Sequence, residues 1–257
     1  MGAKTGLLAY ASTSVGDVLR NNQAEPDRAA AEALVRGLHP GWLVNTDGVS
    51  RPVDNLLEAT YPPEDIAYAV SLPGVDILCD QRLMIDRPSL LPQRFLDAAK
   101  GRTVVLHAMH SVVDWLAFAV WTGGTLVRSL SISPDGGIQE NIGEPLEFEA
   151  PFWAGEHPAD RTPGLPNQDR PYPLPFHPLE MGEEALRALF GFVVEGRREP
   201  GDVDAFEIPV HGFRLIDPAG PSPEERKAQR EALIAQMGPP RYFRMQPDGS
   251  MVEITGP

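Results

Sequence analysis

The apolar positions of this chain recur with two different periods, which predicts a protein built from both strands and helices. Lys4–Ala11 is mostly apolar and predicts a first strand. Two further apolar runs, 65–72 and 75–83, are separated by a Pro-Gly pair and predict two strands joined by a tight turn. The segment 103–132 is the most apolar part of the chain. We expect three strands there, two of them flanking Gly123-Gly124.

Five segments carry apolar residues at the spacing of a helix face, with capping or stop signals at their ends. They are 15–20, 26–38, 87–101, 178–196 and 222–238. In the third segment Ser89 is the expected cap, although Pro92 leaves the start of that helix open. In the last segment Ser222 and Glu225 form a predicted capping box.

Residues 151–178 contain eight prolines. Because proline lacks an amide donor, we expect neither a helix nor a central strand in this segment. The composition predicts a long ordered surface loop anchored by Trp153 and Phe176, and the alternative is a disordered loop.

The order of these elements predicts an α+β fold with a largely antiparallel sheet, packed helices and the long proline-rich surface loop. The Gly-Gly hairpin excludes a purely parallel sheet. A further strand is expected within 204–216, where Pro209 indicates an edge or a bulge. The tail has the pattern of a small hairpin about Pro247-Asp248-Gly249. We therefore expect one α+β domain over 1–217 and a C-terminal helix-hairpin extension over 218–257.

Composition narrows the class of protein. Of the 257 residues, 42% are hydrophobic and 23% are charged, the balance of an ordinary globular chain. The formal net charge of −14 opposes binding to nucleic acids and anionic membranes, and no stretch approaches the ~20 apolar residues of a membrane span. Cys79 is the only cysteine, which fits a reducing compartment. We expect a cytoplasmic protein with no nucleic-acid and no membrane partner.

The hairpin at Gly123-Gly124 predicts which side chains share a face of the sheet. A regular register gives one apolar face, whereas the other face carries Ser129, Ser131 and Ser133 in a row that runs toward Asp114. The apolar face would carry Trp115, Ala117, Ala119 and Trp121. A serine row beside a carboxylate is a candidate floor for a ligand pocket. The alternative is a partly solvated sheet face covered by a loop.

His107, His110 and Asp114 form the candidate catalytic group. On a helix, a spacing of three would place both imidazoles on one face, where they could share a metal, whereas one continuous strand places them on opposite faces. The surrounding apolar residues favour a strand, or a strand bent near Ser111. The simpler alternative is one packed and one exposed histidine. No metal site is predicted, because no other set of ligands has metal spacing. Cys79 lies in an apolar run and is expected to be an inert core thiol.

The proline-rich segment supplies the candidate ligand-binding group. Aromatic, imidazole and carboxylate side chains recur around two His-Pro pairs, and a proline-set loop can hold such groups in fixed positions. The residues are Trp153, Glu156, His157, Phe176, His177 and Glu180. The alternative is a loop that seals the surface, with Trp153 and Phe176 packed into the core. Glycine-rich phosphate-binding patterns are absent from the sequence, which leaves the cofactor and the small-molecule ligand unassigned.

Several long stretches resemble a family of actinobacterial proteins described only as a domain of unknown function. The stretches are MGAKT (1–5), IDRPS (85–89), HAMHSVVDWLAFAVW (107–121), GEPLEFEAPFWAGEHP (143–158) and YPLPFHPLEMGEEALRALFG (172–191). The resemblance runs from residue 1 to about 217 and leaves the tail outside. It implies a bacterial, cytosolic, single-domain protein, and it brings no activity, cofactor or catalytic residue.

Two functions of different classes follow. The preferred one is a non-enzymatic binding or interaction domain, and in one version the C-terminal extension forms a homodimer by pairing hairpin edges. The other is a hydrolase-like enzyme, metal-assisted in one version, that uses histidines and carboxylates near His107–Asp114 and the 149–180 loop. The hydrolase requires these groups to converge within a few ångströms.

Overall fold

The computed structural model describes residues 2–47, 49, 53–159, 172–236, 242–246 and 251–254. The described residues belong to two units, one within 1–161 and 172–216 and the other within 217–257. The first unit has helices packed on an antiparallel sheet, so the predicted α+β class is confirmed.

The first unit is built on a nine-stranded sheet in which every neighbouring pair is antiparallel. The strands are β1 (Lys4–Ala11), β2 (Leu43–Asn45), β3 (Ile66–Leu72), β4 (Val75–Cys79), β5 (Thr103–His110), β6 (Trp115–Thr122), β7 (Thr125–Ser133), β8 (Gly137–Ile142) and β9 (His211–Ile216). Their order across the sheet is β2-β9-β3-β4-β1-β5-β6-β7-β8. The predicted strand β1 therefore lies at the centre, between β4 and β5.

Helices cover both faces of this sheet. They are α1 (Val15–Asn21), α2 (Arg28–Leu38), α3 (Leu56–Ala59), α4 (Gln93–Asp97), α5 (Ala150–Trp153) and α6 (Pro178–Phe190). Apolar residues of α2 and α4 pack with one face of the sheet, and those of α1, α3, α5 and α6 pack with the other. The sheet is therefore buried on both sides near β1, which explains why the central strands read as continuous apolar runs.

The helix predicted at 26–38 begins two residues later, at Arg28, with Asp27 as its cap, and two other helices differ more from their predicted boundaries. The predicted helix 178–196 ends at Phe190, because Gly191 adopts a left-handed conformation with φ of 86° that stops it. The predicted helix 87–101 is shorter as well. A 3₁₀ turn occupies Pro88–Leu90, and α4 begins only after Pro92. Ser89 is therefore not its cap.

The proline-rich segment begins with a helix, which corrects the expectation that 151–178 contains none. Pro151 lies in the first turn of α5. A backbone N–H at that position would have no acceptor within the helix, so its absence in proline costs no hydrogen bond. Residues 160–171 lie outside the described residues, so the loop prediction stays a prediction there. The predicted strand 204–216 is a strand only in β9. Its first part is a 3₁₀ turn at Ala205–Glu207.

The β6–β7 hairpin turns at its twin glycines as predicted, but a β-bulge changes its register. Ala119 pairs with Ser129 rather than with Arg128. Because an inserted residue moves the following side chains to the other face, the serine row shares a face with Trp121. The predicted pairing of the row with Asp114 is therefore wrong. Asp114 lies in the turn before β6, in a left-handed conformation with φ of 46°.

The second unit contains α7 (Pro223–Gln236) and a hairpin of β10 (Tyr242–Met245) and β11 (Met251–Ile254). The predicted capping box is confirmed. The Ser222 amide donates to the Glu225 carboxylate at 2.7 Å, and the Glu225 amide donates to the Ser222 hydroxyl at 3.2 Å. The predicted turn at 247–249 lies outside the described residues. None of the helices in the described part of the chain combines the length and the apolar character needed to cross a bilayer.

Candidate functional site

His107 is sealed inside the fold. Its side chain is fully buried on the α6 side of β5, with Nε2 2.9 Å from the Gly182 carbonyl and Nδ1 2.9 Å from the Thr5 hydroxyl. Since a carbonyl oxygen can only accept, Nε2 carries the proton and Nδ1 accepts from the hydroxyl. Burial lowers the pKa of His107 to about 4. Both ring nitrogens are engaged, so His107 joins β1, β5 and α6 as a neutral structural group.

Gly182 makes this contact sterically possible. It lies within α6, where a methyl group would come within 2.7 Å of the Met109 sulfur and 3.3 Å of a Leu116 methyl carbon. The missing side chain lets the helix backbone approach the sheet closely enough for its carbonyl to reach the His107 ring. The glycine therefore positions α6 over β5 and β6.

His110 lies on the opposite face of the sheet, as one continuous strand requires. Its Nδ1 accepts from the Val112 amide at 3.3 Å, and its ring meets the edge of Tyr61 with 6.2 Å between ring centres. Partial burial and the nearby Lys4 ammonium lower the pKa of His110. The two predicted catalytic histidines thus face different environments, and His110 opens onto a cleft of its own.

Asp114 is brought next to His177 instead of His107. His177 caps α6, since its Nδ1 accepts from the Leu179 amide at 3.3 Å. Its Nε2 therefore carries a proton and lies 3.7 Å from an Asp114 carboxylate oxygen. Tyr172 stacks on the imidazole with ring centres 5.7 Å apart. Burial, followed by the charges of Asp114 and Glu180, raises the pKa of Tyr172 to about 12.

A cleft of about 530 Å³ opens beside the start of α6. Three of the six predicted ligand-binding residues, His157, His177 and Glu180, line it. Its remaining lining residues are Ala3, Phe152, Leu179, Glu183, Glu184, Glu195 and Gly196. The lining brings together four glutamates and two imidazoles, and no Lys or Arg occurs among the described residues that form it. We call this the acidic cleft.

The four glutamates of the acidic cleft differ in how they are bound. The Glu183 carboxylate accepts from the Val194 and Glu195 amides at 2.8 and 3.0 Å, and Glu184 is paired with Arg187. Glu180 and Glu195 make no side-chain hydrogen bond or ion pair with another described residue. These two carboxylates are the groups available to a ligand. Sequence reasoning identified Glu180 but missed Glu195, which lies after the helix.

Two of the other predicted ligand-binding residues, Trp153 and Phe176, serve as anchors. Phe176 is fully buried and meets the edge of Trp153 with 5.0 Å between ring centres. The Trp153 indole donates to Glu149 at 3.1 Å. Glu156 is exposed and lies outside the lining of the acidic cleft. His157 stacks on Phe152 at 4.4 Å, which gives one wall of the acidic cleft an aromatic surface.

A buried ion pair that sequence reasoning missed holds this region together. Arg128 and Glu149 are fully buried and form a two-point contact, with distances of 2.8 and 2.6 Å. The remaining Arg128 nitrogen donates to Asn141 at 2.6 Å and to the Ile142 carbonyl at 3.0 Å. Glu149 also accepts from the Leu146 amide at 2.8 Å. Because both buried charged groups have hydrogen-bond partners, the ion pair holds the start of α5 against β7 and β8.

The serine row is also engaged internally. Ser129 donates to Glu140, Ser131 donates to Gln139 at 3.0 Å, and Ser133 accepts from the Gly136 amide at 2.9 Å. These bonds link β7 to β8 and its turn. Across the described ranges of the chain, no group of three or more His, Cys, Asp or Glu side chains is placed to hold a metal ion. Cys79 is fully buried and unpaired, and burial raises the pKa of its thiol.

Comparison with known proteins identifies the family of the chain but no function. Neither the curated proteins nor the solved structures gave a match. The resemblance to an uncharacterised family is confirmed, whereas an actinobacterial origin stays a prediction. The profile of a family of unknown function, DUF6928, matches residues 5–213, which is more than half of the chain. The chain therefore belongs to the family of unknown function DUF6928.

Proposed function

We propose that the protein is a non-enzymatic, cytoplasmic binding domain whose ligand is a small cationic molecule of the amine class. The observation that carries the proposal is the acidic cleft, with its four glutamates and no described Lys or Arg in its lining. At about 530 Å³ it lies within the usual range of small-molecule sites. The net charge of −14 adds a field that attracts cations over a longer range.

The state of His107 and His177 supports binding over catalysis. A general base needs a ring nitrogen that can reach the proton it removes. Both nitrogens of His107 are occupied inside the fold, and the Nδ1 of His177 is committed to capping α6. The Nε2 proton of His177 faces Asp114, which keeps that ring oriented at the edge of the acidic cleft.

The geometry of the acidic cleft fits an amine in two ways. Glu180 and Glu195 are carboxylates without a partner among the described residues, and they can accept hydrogen bonds from an ammonium group. The exposed His157 ring, stacked on the buried Phe152 ring, offers a flat wall against which the methylene chain of an amine can pack. An anionic ligand would meet repulsion from Glu180, Glu183 and Glu195, which form no ion pair with a described residue.

Calorimetric titration of the full chain tests the proposal. Putrescine is the cationic probe, and 1,4-butanediol is a neutral control of similar length. We expect saturable binding of putrescine that weakens with added salt, and none of the diol. Changing both Glu180→Gln and Glu195→Gln should weaken binding about fivefold, at roughly 0.5 kcal/mol for each exposed carboxylate.

Glu207→Gln is the matched control, because Glu207 is exposed and lies outside the acidic cleft. It should leave the putrescine affinity unchanged. Equal weakening by this control, or no putrescine binding at all, would overturn the cationic ligand. Turnover of ester or phosphodiester substrates that persists through purification and is abolished by Asp114→Asn would overturn the non-enzymatic part and favour the hydrolase.

The second unit supports a further part of the proposal, a homodimer formed through the C-terminal extension. Ile234 on α7 is 59% exposed and Val252 on β11 is 46% exposed. Within the described residues, the two-stranded sheet of β10 and β11 has no third strand along either edge. Light scattering should give a dimer mass for the native chain and a monomer mass after Ile234→Glu with Val252→Glu. A monomer mass for the native chain would overturn this assembly.

A further inference from the structure

A second cleft lies on the sheet face opposite α6, at the ends of β5, β6 and β7. Its volume is about 300 Å³. The polar residues that line it are Asp86, His110, Trp115, Ser133, Asp135 and Gln139. We call it the Trp115 cleft. It shares no lining residue with the acidic cleft.

The Trp115 indole is the most informative group in this cleft. The side chain is 6% exposed, and its Nε1 is buried without an acceptor among the described residues. A buried donor without a partner costs about 1–3 kcal/mol, so proteins seldom retain one without a reason. The Trp153 indole, by contrast, donates to Glu149. Because Trp115 lines the cleft, a ligand oxygen that reaches the edge of the indole would complete the missing hydrogen bond.

Two neighbouring side chains also present donors. The Gln139 carbonyl oxygen accepts from Ser131 at 3.0 Å, which leaves the two amide protons of Gln139 for other partners. His110 accepts the Val112 amide at Nδ1, so its Nε2 carries a proton. The Trp115 cleft therefore combines three kinds of N–H donor: an indole, an amide and an imidazole.

The acceptors of the Trp115 cleft are two carboxylates. Asp86 and Asp135 are exposed, and neither makes a side-chain hydrogen bond or an ion pair with another described residue. They come from different parts of the chain, one following β4 and one in the β7–β8 turn. The cleft thus offers donors from its strands and acceptors from its flanking turns.

This pattern selects one class of ligand. An anion would be repelled by the two aspartates, and a simple cation has no acceptor for the Trp115 proton. A hydroxyl group both donates and accepts, so it can bond to the carboxylates and to the indole at once. We propose that the Trp115 cleft binds a small neutral polyhydroxylated molecule of the monosaccharide or cyclitol class.

The indole proton gives a direct readout in the full chain. The sequence contains four tryptophans, so an amide-correlation NMR spectrum shows four indole signals, and Trp115→Phe identifies the one from Trp115. The probes are glucose, mannose and inositol, titrated to millimolar concentration, with putrescine and acetate as charged comparisons. We expect one of the neutral probes to shift the Trp115 signal downfield to saturation while the Trp153 signal stays in place.

Matched variants locate the binding. Changing Asp86→Ala together with Asp135→Ala should lower the affinity for the probe that moves the Trp115 signal about tenfold. The reason is that hydrogen bonds to charged groups are lost. Asp97→Ala, an exposed change on α4 outside both clefts, should have no effect. The same spectra show whether each variant is folded.

Two outcomes would overturn the Trp115 proposal. One is that no neutral probe moves the Trp115 signal, and the other is that only putrescine or acetate moves it. Neither outcome bears on the acidic cleft, whose test relies on Glu180 and Glu195.

Discussion

Replacing His107 by glutamine should reduce the decrease in the free energy of unfolding that occurs at acid pH. The imidazole lies fully buried between the Thr5 hydroxyl and the Gly182 carbonyl, and its pKa is lowered to about 4 from 6.5. Gln can still donate to the Gly182 carbonyl but does not titrate. The native protein should therefore lose stability between pH 6.5 and 4 through this one residue, and His107→Gln should not.

The size of the effect follows from the two pKa values. In the unfolded chain His107 takes up a proton as the pH falls through 6.5, whereas the folded protein resists that proton down to about pH 4. Over this pH window the unfolded state binds more protons than the folded state. The free energy of unfolding therefore decreases as the pH decreases. At 1.36 kcal/mol per unit, the difference of 2.5 units between the values of 6.5 and 4 corresponds to about 3 kcal/mol.

Urea unfolding between pH 4 and 8 measures this difference. All four tryptophans lie within the first unit, so their fluorescence reports its unfolding. The variant should be less stable than the native protein at pH 7, because it lacks the bond to Thr5, and its deficit should shrink by about 3 kcal/mol at pH 4. Met109→Leu changes the same buried face without removing a titratable group, and its curve should run parallel to the native one. Parallel curves for His107→Gln would show that protonation of His107 does not cause the loss of stability in acid.

Two further predictions concern stability at neutral pH, and urea unfolding measures both. Arg128→Met leaves the buried Glu149 without its cation and should lower the free energy of unfolding by about 3–5 kcal/mol. Adding Glu149→Gln to the same chain should restore part of this loss. A loss below about 1 kcal/mol would contradict the role given to the ion pair. Gly6→Ala would bring a methyl carbon within 2.5 Å of the Asp80 carbonyl oxygen and should cost about 2 kcal/mol or more. Gly37→Ala meets no atom within 4 Å in a helix and should add roughly 0.5 kcal/mol, so the reverse order of these two glycine variants would contradict the packing.

Sequence patterns predicted the central strands well, because these are buried on both faces and read as apolar runs. β1 has the predicted boundaries of Lys4–Ala11. The strands at the sheet edges were missed for the opposite reason. β8 has a single buried position, Glu140, among its six residues, and β2 has only three residues. An edge strand buries too little apolar surface to leave a clear signal.

The candidate sites were harder to predict because they depend on contacts between distant residues. A single bulge in β7 moved the serine row to the other face, and nothing in the alternation of 125–133 marks that inserted residue. Asp114 was grouped with His107 by closeness in sequence, whereas folding brings it to His177. Only Arg128, the single charged residue of β7, hinted at a buried ion pair.

We expect an amine to dock in the acidic cleft beside α6. The most direct test is an NMR titration of the full chain, with its histidines isotopically labelled, against putrescine. We expect saturable shifts of the imidazole signals of His157 and His177, which line the cleft, and fixed signals for His107 and His211, which lie outside that lining. Unmoved signals for His157 and His177, or shifts centred on His211, would contradict this expectation.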